Sequence, residues 1–129
     1  MSHLRAEIFE QPDVLAHFLE QERSNVERIA ARLRRQEIRY IIIAARGSSD
    51  NAARYAQYVF ASFNRLTVAL AAPSVFTAYQ SPPQMRDALV IGISQSGESP
   101  DIVAVLAEAR RQNVLTVAVT NSPNSPLAR

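Results

Sequence analysis

The sequence predicts an α/β domain, a three-layer sandwich in which helices cover both faces of a parallel sheet, preceded by an amphipathic helical arm. Three observations predict it. Apolar runs of strand length recur along the chain, and the first is an unbroken β-branched run typical of a strand buried on both faces. Segments with helical spacing separate these runs, so right-handed crossovers should join the strands into a parallel sheet. A longer helical pattern comes before the first run.

Each element of the sheet region has its own signal. We expect strands at the apolar runs, helices where apolar residues return every three or four positions, and a loop where prolines accumulate. The predicted strands are 38–45, 66–71, 87–93 and 113–120, the predicted helices are 52–63, 73–79 (a short one) and 100–112, and the predicted loop is 81–87. Near the end, Ser125-Pro126 is typical of a further helix start, so we expect a truncated sheet.

The arm is expected to form a helical domain of its own, residues 1–37, with the sheet domain in 38–129. Its helical pattern extends from residue 3 to about residue 36. We expect a break near Gln11-Pro12, because a proline is tolerated in the first turn of a second helix but disrupts the interior of a longer one.

The composition excludes several classes of function. The 129 residues include no cysteine, which rules out disulfides, thiolate zinc sites and a cysteine nucleophile. A chain without cysteine is compatible with the cytoplasm, where we expect the protein to be. All fourteen basic residues are arginine, so there is no Schiff-base or Walker lysine. The apolar runs are far shorter than the roughly twenty residues of a membrane span. The arginine-rich run 28–39 is typical of a solvated helix face. We therefore expect neither a membrane nor a nucleic-acid partner.

The loops that follow the predicted strands are where a ligand should bind, because parallel α/β sheets bind ligands beyond the carboxyl ends of their strands. Three of these four loops are rich in hydroxyl groups. They are Arg46–Ser49 after the first strand, Ser94–Ser99 after the third and Thr120–Ser122 after the fourth. We expect them to converge on one edge of the sheet.

The loop after the third strand has the features of an anion site. Ser99 is a typical N-cap and Pro100 a typical first helical residue, so free N–H groups and the positive end of the helix should face the loop. Such donors favour a phosphate. Gly97 would allow close approach of the backbone to the anion, and Ser94 and Ser96 would add hydroxyl donors. Serines also serve as ordinary caps, and Ser99 can do both.

The loop after the first strand repeats this arrangement. Gly47 would form the turn, and Ser48 or Ser49 would cap a helix that begins near Asp50. Arg46 would add positive charge.

Other nucleophile and cofactor motifs do not fit. GISQSG resembles a G-x-S-x-G nucleophile elbow, but Ser96 stands where the second glycine is needed. A hydrolase of that kind also needs a histidine after the serine, whereas His3 and His17 precede it and suit surface or helix-packing roles. Neither the P-loop nor the dinucleotide fingerprint occurs. We expect no metal and no organic cofactor.

Four segments in order resemble a known family: RGSSDNAARY, PSVFTAY, ALVIGISQSGESPDIVAVLAEAR and VLTVAVTNSPNSPLA. Together they are similar to the first half of a sugar isomerase (SIS) protein, with a flavodoxin-like fold. The likeness is strongest to the isomerase region of glucosamine-6-phosphate synthase and to the related glucosamine-6-phosphate deaminases. SQSGES is its most specific part.

The resemblance assigns roles to individual residues. It implies that Ser94, Gln95, Ser96 and Ser99, with Gly97 between them, form the phosphate-binding loop. It also implies that Gly47, Ser48 and Ser49 contact phosphate and sugar hydroxyls. Position 46 is often cysteine in the synthases, and the arginine here is closer to the deaminases. The family's base, ring-opening histidine and carboxy-terminal lysine belong to a second half that has no match in this sequence. Glu98 is a weak catalytic candidate, since it could orient a substrate or simply favour the helix terminus.

The resemblance implies an aldose–ketose isomerase or deaminase of amino-sugar phosphates, such as glucosamine 6-phosphate or fructose 6-phosphate. This chain would supply phosphate and sugar recognition, would turn over little alone, and would form a homodimer. The alternative is a sugar-phosphate-sensing regulatory module without catalysis. Such a module would carry a DNA-binding helix-turn-helix before the sheet, and residues 3–36 offer no convincing turn of that kind.

Overall fold

The protein was analysed as a computed structural model that describes residues 2–129. Its contacts divide the chain into two compact units, one ending at Glu37 and the other spanning Ile38–Arg129. No helix in residues 2–129 combines the length and the hydrophobicity needed to cross a bilayer.

The amino-terminal unit consists of two helices, α1 (His3–Gln21) and α2 (Arg23–Leu33). The predicted break near Gln11-Pro12 is wrong, because α1 continues through Pro12 and ends at Gln21. A proline removes one N–H donor from a helix interior, but Pro12 does not interrupt α1. At Glu22 the backbone has φ −92° and ψ −1°, which separates the two helices.

The second unit is the predicted α/β sandwich. Its strands are β1 (Tyr40–Ala45), β2 (Thr67–Leu70), β3 (Ala88–Ile93) and β4 (Leu115–Val119), and its helices are α3 (Ser49–Val59, extended by a π-helical turn at Phe60–Asn64), α4 (Pro73–Thr77) and α5 (Pro100–Arg111). The strands form one parallel sheet in the order β2-β1-β3-β4, which confirms the predicted fold class. After β4 the chain forms turns, so the helix expected at Ser125-Pro126 is not found within residue 129.

The core lies on both sides of β1 and β3. Ile42, Ala44 and Val90 pack with α5 in one buried cluster. Ile41 and Ile43 are equally buried, and because neighbouring strand residues point to opposite faces, they cover the side on which α3 contacts β1 and β2. The unbroken apolar run of β1 is therefore explained by burial on both faces.

Gly92 allows α5 to approach β3 closely. A Cβ atom at this position would lie 2.6 Å from Cδ1 of Leu106 and 3.2 Å from Cδ1 of Leu127. Both leucines are buried against the strand. Gly92 thus serves packing, although it begins the stretch that the sequence marked as functional.

Gln112, just after α5, holds the loop before β3 in place. Its Oε1 accepts a hydrogen bond from the Met85 N–H at 2.9 Å, and its Nε2 donates to the Pro83 carbonyl at 3.0 Å. Nε2 also donates to Oε1 of Glu108 at 2.8 Å. One amide side chain therefore connects the helix end to two main-chain groups of the loop.

Replacing Gln112 should destabilise the fold. We expect Gln112→Ala to lower the free energy of unfolding by about 1–3 kcal/mol, because the Met85 N–H and the Pro83 carbonyl both lose their partner. Urea denaturation followed by circular dichroism would measure the loss. Gln84→Ala in the same loop is the matched control, since the Gln84 side chain is exposed and should change stability by less than about 0.5 kcal/mol. Equal losses in the two variants would contradict this role of Gln112.

The ionisation of Glu108 makes the stability of the fold depend on pH. Hydrogen bonds from Arg111 and Gln112 lower the pKa of Glu108 from 4.5 to about 2, and the same contact raises the pKa of Arg111. A lowered carboxyl pKa contributes stability above the ordinary pKa, and that contribution is lost as pH falls toward 2. We therefore expect the stability difference between the wild type and Glu108→Gln to be greatest above pH 5 and to shrink steadily down to pH 3. Denaturant titrations across this range would test it, and a difference independent of pH would refute it.

Candidate functional site

The strand order creates a crevice between β1 and β3. From β1 the chain crosses to β2 on one side, whereas from β3 it crosses to β4 on the other. Ligands of open parallel sheets bind where the order reverses in this way. Ala45 and Ile93 are paired at the ends of the two strands, so the loops that follow them start side by side. The sequence predicted that these loops converge, and the structure confirms it.

The serine loop, Ser94–Ser99, is held by its own hydroxyl groups. The Gly97 N–H donates to the carbonyl and to Oγ of Ser94, both at 3.2 Å, and the Glu98 N–H donates to Oγ of Ser96 at 3.2 Å. Ser94 is buried beneath the turn, while Gln95, Ser96 and Glu98 are exposed. A hydroxyl oxygen that accepts a hydrogen bond keeps its proton for donation. Ser96 can therefore brace the loop and still donate to an anion.

The start of α5 leaves donors available. Ser99 is the N-cap with extended backbone (φ −60°, ψ 113°), and Pro100 is the first helical residue, as predicted. The Ser99 side chain makes no capping hydrogen bond. The N–H groups of Asp101 and Ile102 have no preceding helical carbonyl to bond, as is general for the first turn of a helix. Ile102 is fully buried, so the groups that can serve a ligand are the hydroxyl of Ser99 and the amide of Asp101.

The loop after β1 differs from the sequence expectation in one respect. Gly47 has φ 59°, the left-handed conformation expected at a turn, and α3 begins at Ser49. Ser48 occupies the N-cap position but makes no side-chain capping hydrogen bond, so the predicted capping by Ser48 or Ser49 is not observed. The reason is conformational: Ser48 is helical (φ −64°, ψ −28°), whereas a capping side chain needs extended backbone.

The loop after β4 is hydrogen-bonded to the serine loop. The Asn121 N–H and the Thr120 hydroxyl both donate to the Gln95 carbonyl at 3.1 Å. A Cβ atom at Gly97, which has φ 67°, would lie only 2.0 Å from Oγ of Ser125 and 2.9 Å from Oγ1 of Thr120. The close approach that Gly97 allows in this structure is therefore to Ser125. Sequence reasoning treated Ser125 only as a helix start and did not foresee its contact with Gly97, because the two residues lie 28 positions apart in the chain.

Charged side chains surround the crevice in pairs. Arg46 forms an ion pair with Asp101 in the first turn of α5, and Arg54 pairs with Asp50 in the first turn of α3 at 2.9 Å. The Glu98 carboxylate has no ion pair within residues 2–129. Sequence reasoning placed Arg46 here as free positive charge but did not foresee its pairing with Asp101.

The side chains to which the sequence assigned surface roles are exposed. His3 and His17 are exposed on α1, and the arginines of the run 28–39 are exposed as well. These observations agree with the solvated helix faces expected from the sequence.

The fold and the loops at the carboxyl ends of its strands define a class of protein: a flavodoxin-like domain with hydroxyl-rich loops at its switch point. Comparison with known proteins makes the class specific. The family model of the SIS domain matches residues 35–129, and this chain belongs to the SIS domain family. The sequence resemblance to this family is thereby confirmed.

The similar proteins are longer than this chain. Glutamine–fructose-6-phosphate aminotransferase (isomerizing) of Bradyrhizobium diazoefficiens is 38% identical over 128 residues, covering 95% of this chain but 21% of the relative. A crystal structure assigned to the phosphosugar isomerases, from Silicibacter pomeroyi, is 39% identical with a TM-score of 0.93, covering 99% of this chain and 39% of that one. The C-terminal domain of glucosamine-fructose-6-phosphate aminotransferase from Francisella tularensis is 30% identical with a TM-score of 0.63, covering 72% and 26%. The chain thus spans about a fifth of the length of the curated relatives.

A comparison of Gly97 with Gly47 separates the effect of the contact with Ser125 from the effect of the positive φ. Both have positive φ, but nothing lies within 4 Å of a Cβ atom at Gly47. We expect Gly47→Ala to cost about 1 kcal/mol, from backbone strain alone, and Gly97→Ala to cost about 2–4 kcal/mol, because Ser125 must also move. Urea denaturation of the two variants would measure this. Equal costs would mean that Ser125 does not press on the serine loop.

Proposed function

We propose that this chain is the sugar-phosphate-binding lobe of an aldose–ketose isomerase or deaminase acting on amino-sugar phosphates, such as glucosamine 6-phosphate or fructose 6-phosphate. The observation that carries the proposal is the placement of the serine loop and the start of α5 at the β1/β3 switch point, where unused donors meet. The names of the relatives, which include fructose 6-phosphate, support this substrate class.

The phosphate would be held by neutral donors. A phosphate monoester carries close to two negative charges at neutral pH. The hydroxyls of Ser96 and Ser99 and the amide of Asp101 can each donate to it, and the positive end of α5 favours the charge. Ser94 would act mainly beneath the loop, through its bonds to Gly97.

The sugar would lie toward the loop after β1. Ser48 is exposed and Ser49 half-buried, and neither hydroxyl is used as a cap, so both can meet sugar hydroxyls. Gly47 provides the turn that directs them. On the other side of the crevice, the exposed amide of Gln95 and the carboxylate of Glu98 can meet polar groups of the ligand.

The proposed reaction needs groups that this lobe does not bring together. Ring opening of the sugar, followed by transfer of a proton between C2 and C1 through an enediol-type intermediate, requires a base and an acid near those carbons. Asp50 and Asp101 are each paired with an arginine, and Glu98 is the remaining carboxylate among the described residues of the two loops. We propose that Glu98 orients the substrate and that the chain alone binds it with little turnover.

The proposal includes the organisation expected from the sequence. Residues 38–129 would form the binding domain and residues 1–37 a separate helical arm. The intact protein would be a cytoplasmic homodimer, as the family resemblance and the cysteine-free composition suggest.

Binding to the isolated chain tests the proposal. With a ¹⁵N-labelled chain, glucosamine 6-phosphate and fructose 6-phosphate should shift the amide signals of Ser94 to Ser99, and glucosamine should not. Ser96→Ala and Ser99→Ala should each weaken binding by roughly 10-fold or more, because each removes a hydrogen bond to a charged group.

Ser62→Ala is the matched control. Ser62 is exposed on the π-helical turn that leads into β2, at the opposite edge of the sheet. Its loss should leave the affinity unchanged. Equal shifts with the unphosphorylated sugar, or shifts confined to other parts of the chain, would overturn the proposal.

A further inference from the structure

The two aspartates at the crevice create an electrostatic problem. Asp50 and Asp101 both lie in the first turn of a helix, where a carboxylate is favoured by the helix dipole. The same positive end of α5 would have to favour a bound phosphate. An unpaired carboxylate there would compete with the phosphate for the dipole and repel its two negative charges.

The structure pairs each aspartate with an arginine, but by different routes. Asp50 is neutralised by Arg54, four residues later on the same helix. Asp101 is neutralised by Arg46, 55 residues away, from the loop after β1. With Glu98 already contributing one negative charge, the loss of Arg46 would leave two uncompensated carboxylates beside the serine loop.

We propose that Arg46 is a positioning residue that neutralises Asp101, and that it thereby enables a dianionic phosphate to bind at the start of α5. The inference rests on the proposed function and deepens it. In this scheme Arg46 acts through Asp101, to whose carboxylate its Nη1 donates, and is given no direct bond to the phosphate. The site would hold the phosphate with neutral donors and use its arginine to remove a repulsive charge.

The exposure of the pair fits a role in charge balance better than one in stability. The Arg46 side chain is 64% exposed and that of Asp101 28% exposed. Exposed ion pairs contribute little to folding, because water screens them and ordering two side chains costs entropy. A change in ligand affinity without a matching change in stability is therefore the expected signature.

A double-mutant cycle tests the inference. The full chain and its variants are titrated with fructose 6-phosphate at pH 7.5, with the Ser94–Ser99 amide signals as the readout. Arg46→Gln should weaken binding by roughly 10-fold, because Asp101 is left uncompensated. Asp101→Asn should tighten binding by about 3-fold or more, because Arg46 is released as free positive charge. The double variant, with both charges removed, should return to within about 3-fold of the wild type.

Two further measurements distinguish the loss of charge neutralisation from damage to the folded structure. At pH 5, where the phosphate is mostly a monoanion, the loss caused by Arg46→Gln should be smaller than at pH 7.5. Thermal midpoints of all variants should stay within a few degrees of the wild type. Arg86→Gln removes the same charge from an 89% exposed arginine before β3, at the opposite edge, and should change the affinity little.

The outcomes distinguish the two proposals. If the wild type does not prefer the phosphorylated sugar, the proposed function fails. If the wild type does prefer it but Arg46→Gln binds as tightly as the wild type, only the role of Arg46 fails. Weaker binding by Asp101→Asn, with no recovery in the double variant, would likewise overturn charge neutralisation, since it would show that the pair acts only as a structural tether.

Discussion

The parallel pairing of β1 with β3 is the constraint on which the rest of the structure depends. Tyr40–Ala45 and Ala88–Ile93 are paired along their full length, although paired residues lie 48 positions apart in sequence and β2 lies between the two strands. Both strands are buried on both faces, so slipping the pairing by one residue would move every side chain to the wrong side. This fixed register determines where the two strands end. Their loops must therefore meet at the same crevice.

Hydrogen bonds within the chain hold the serine loop in its conformation without a ligand. The serine loop is bonded to itself through Ser94 and Ser96, and the loop after β4 holds it through Gln95 and Gly97. Donors that are already in place lose less conformational entropy on binding than donors on a mobile loop. Hydroxyl groups suit this arrangement because one group can accept a bond from the loop and donate another to a ligand.

Membership of the SIS domain family establishes the fold of this chain. Because one fold can host several functions, the chemistry must be argued from the residues of the site. The loops at the crevice contain many hydrogen-bond donors and few candidate bases. This imbalance supports the proposed role in binding more than a role in proton transfer. The chain spans about a fifth of the length of its curated relatives.

The sequence by itself determined the elements and the loops that carry the candidate site. Unbroken apolar runs marked the strands, and Ser99-Pro100 marked the start of α5, because these signals are local properties of the chain. Only the tertiary structure decided that α1 passes through Pro12, that Ser48 is no cap, that Ser125 presses on Gly97 and that Arg46 neutralises Asp101. The last two contacts join residues 28 and 55 positions apart. These contacts form because the sheet brings the loops together. The periodicity of a single helix or strand carries no information about which loops will meet.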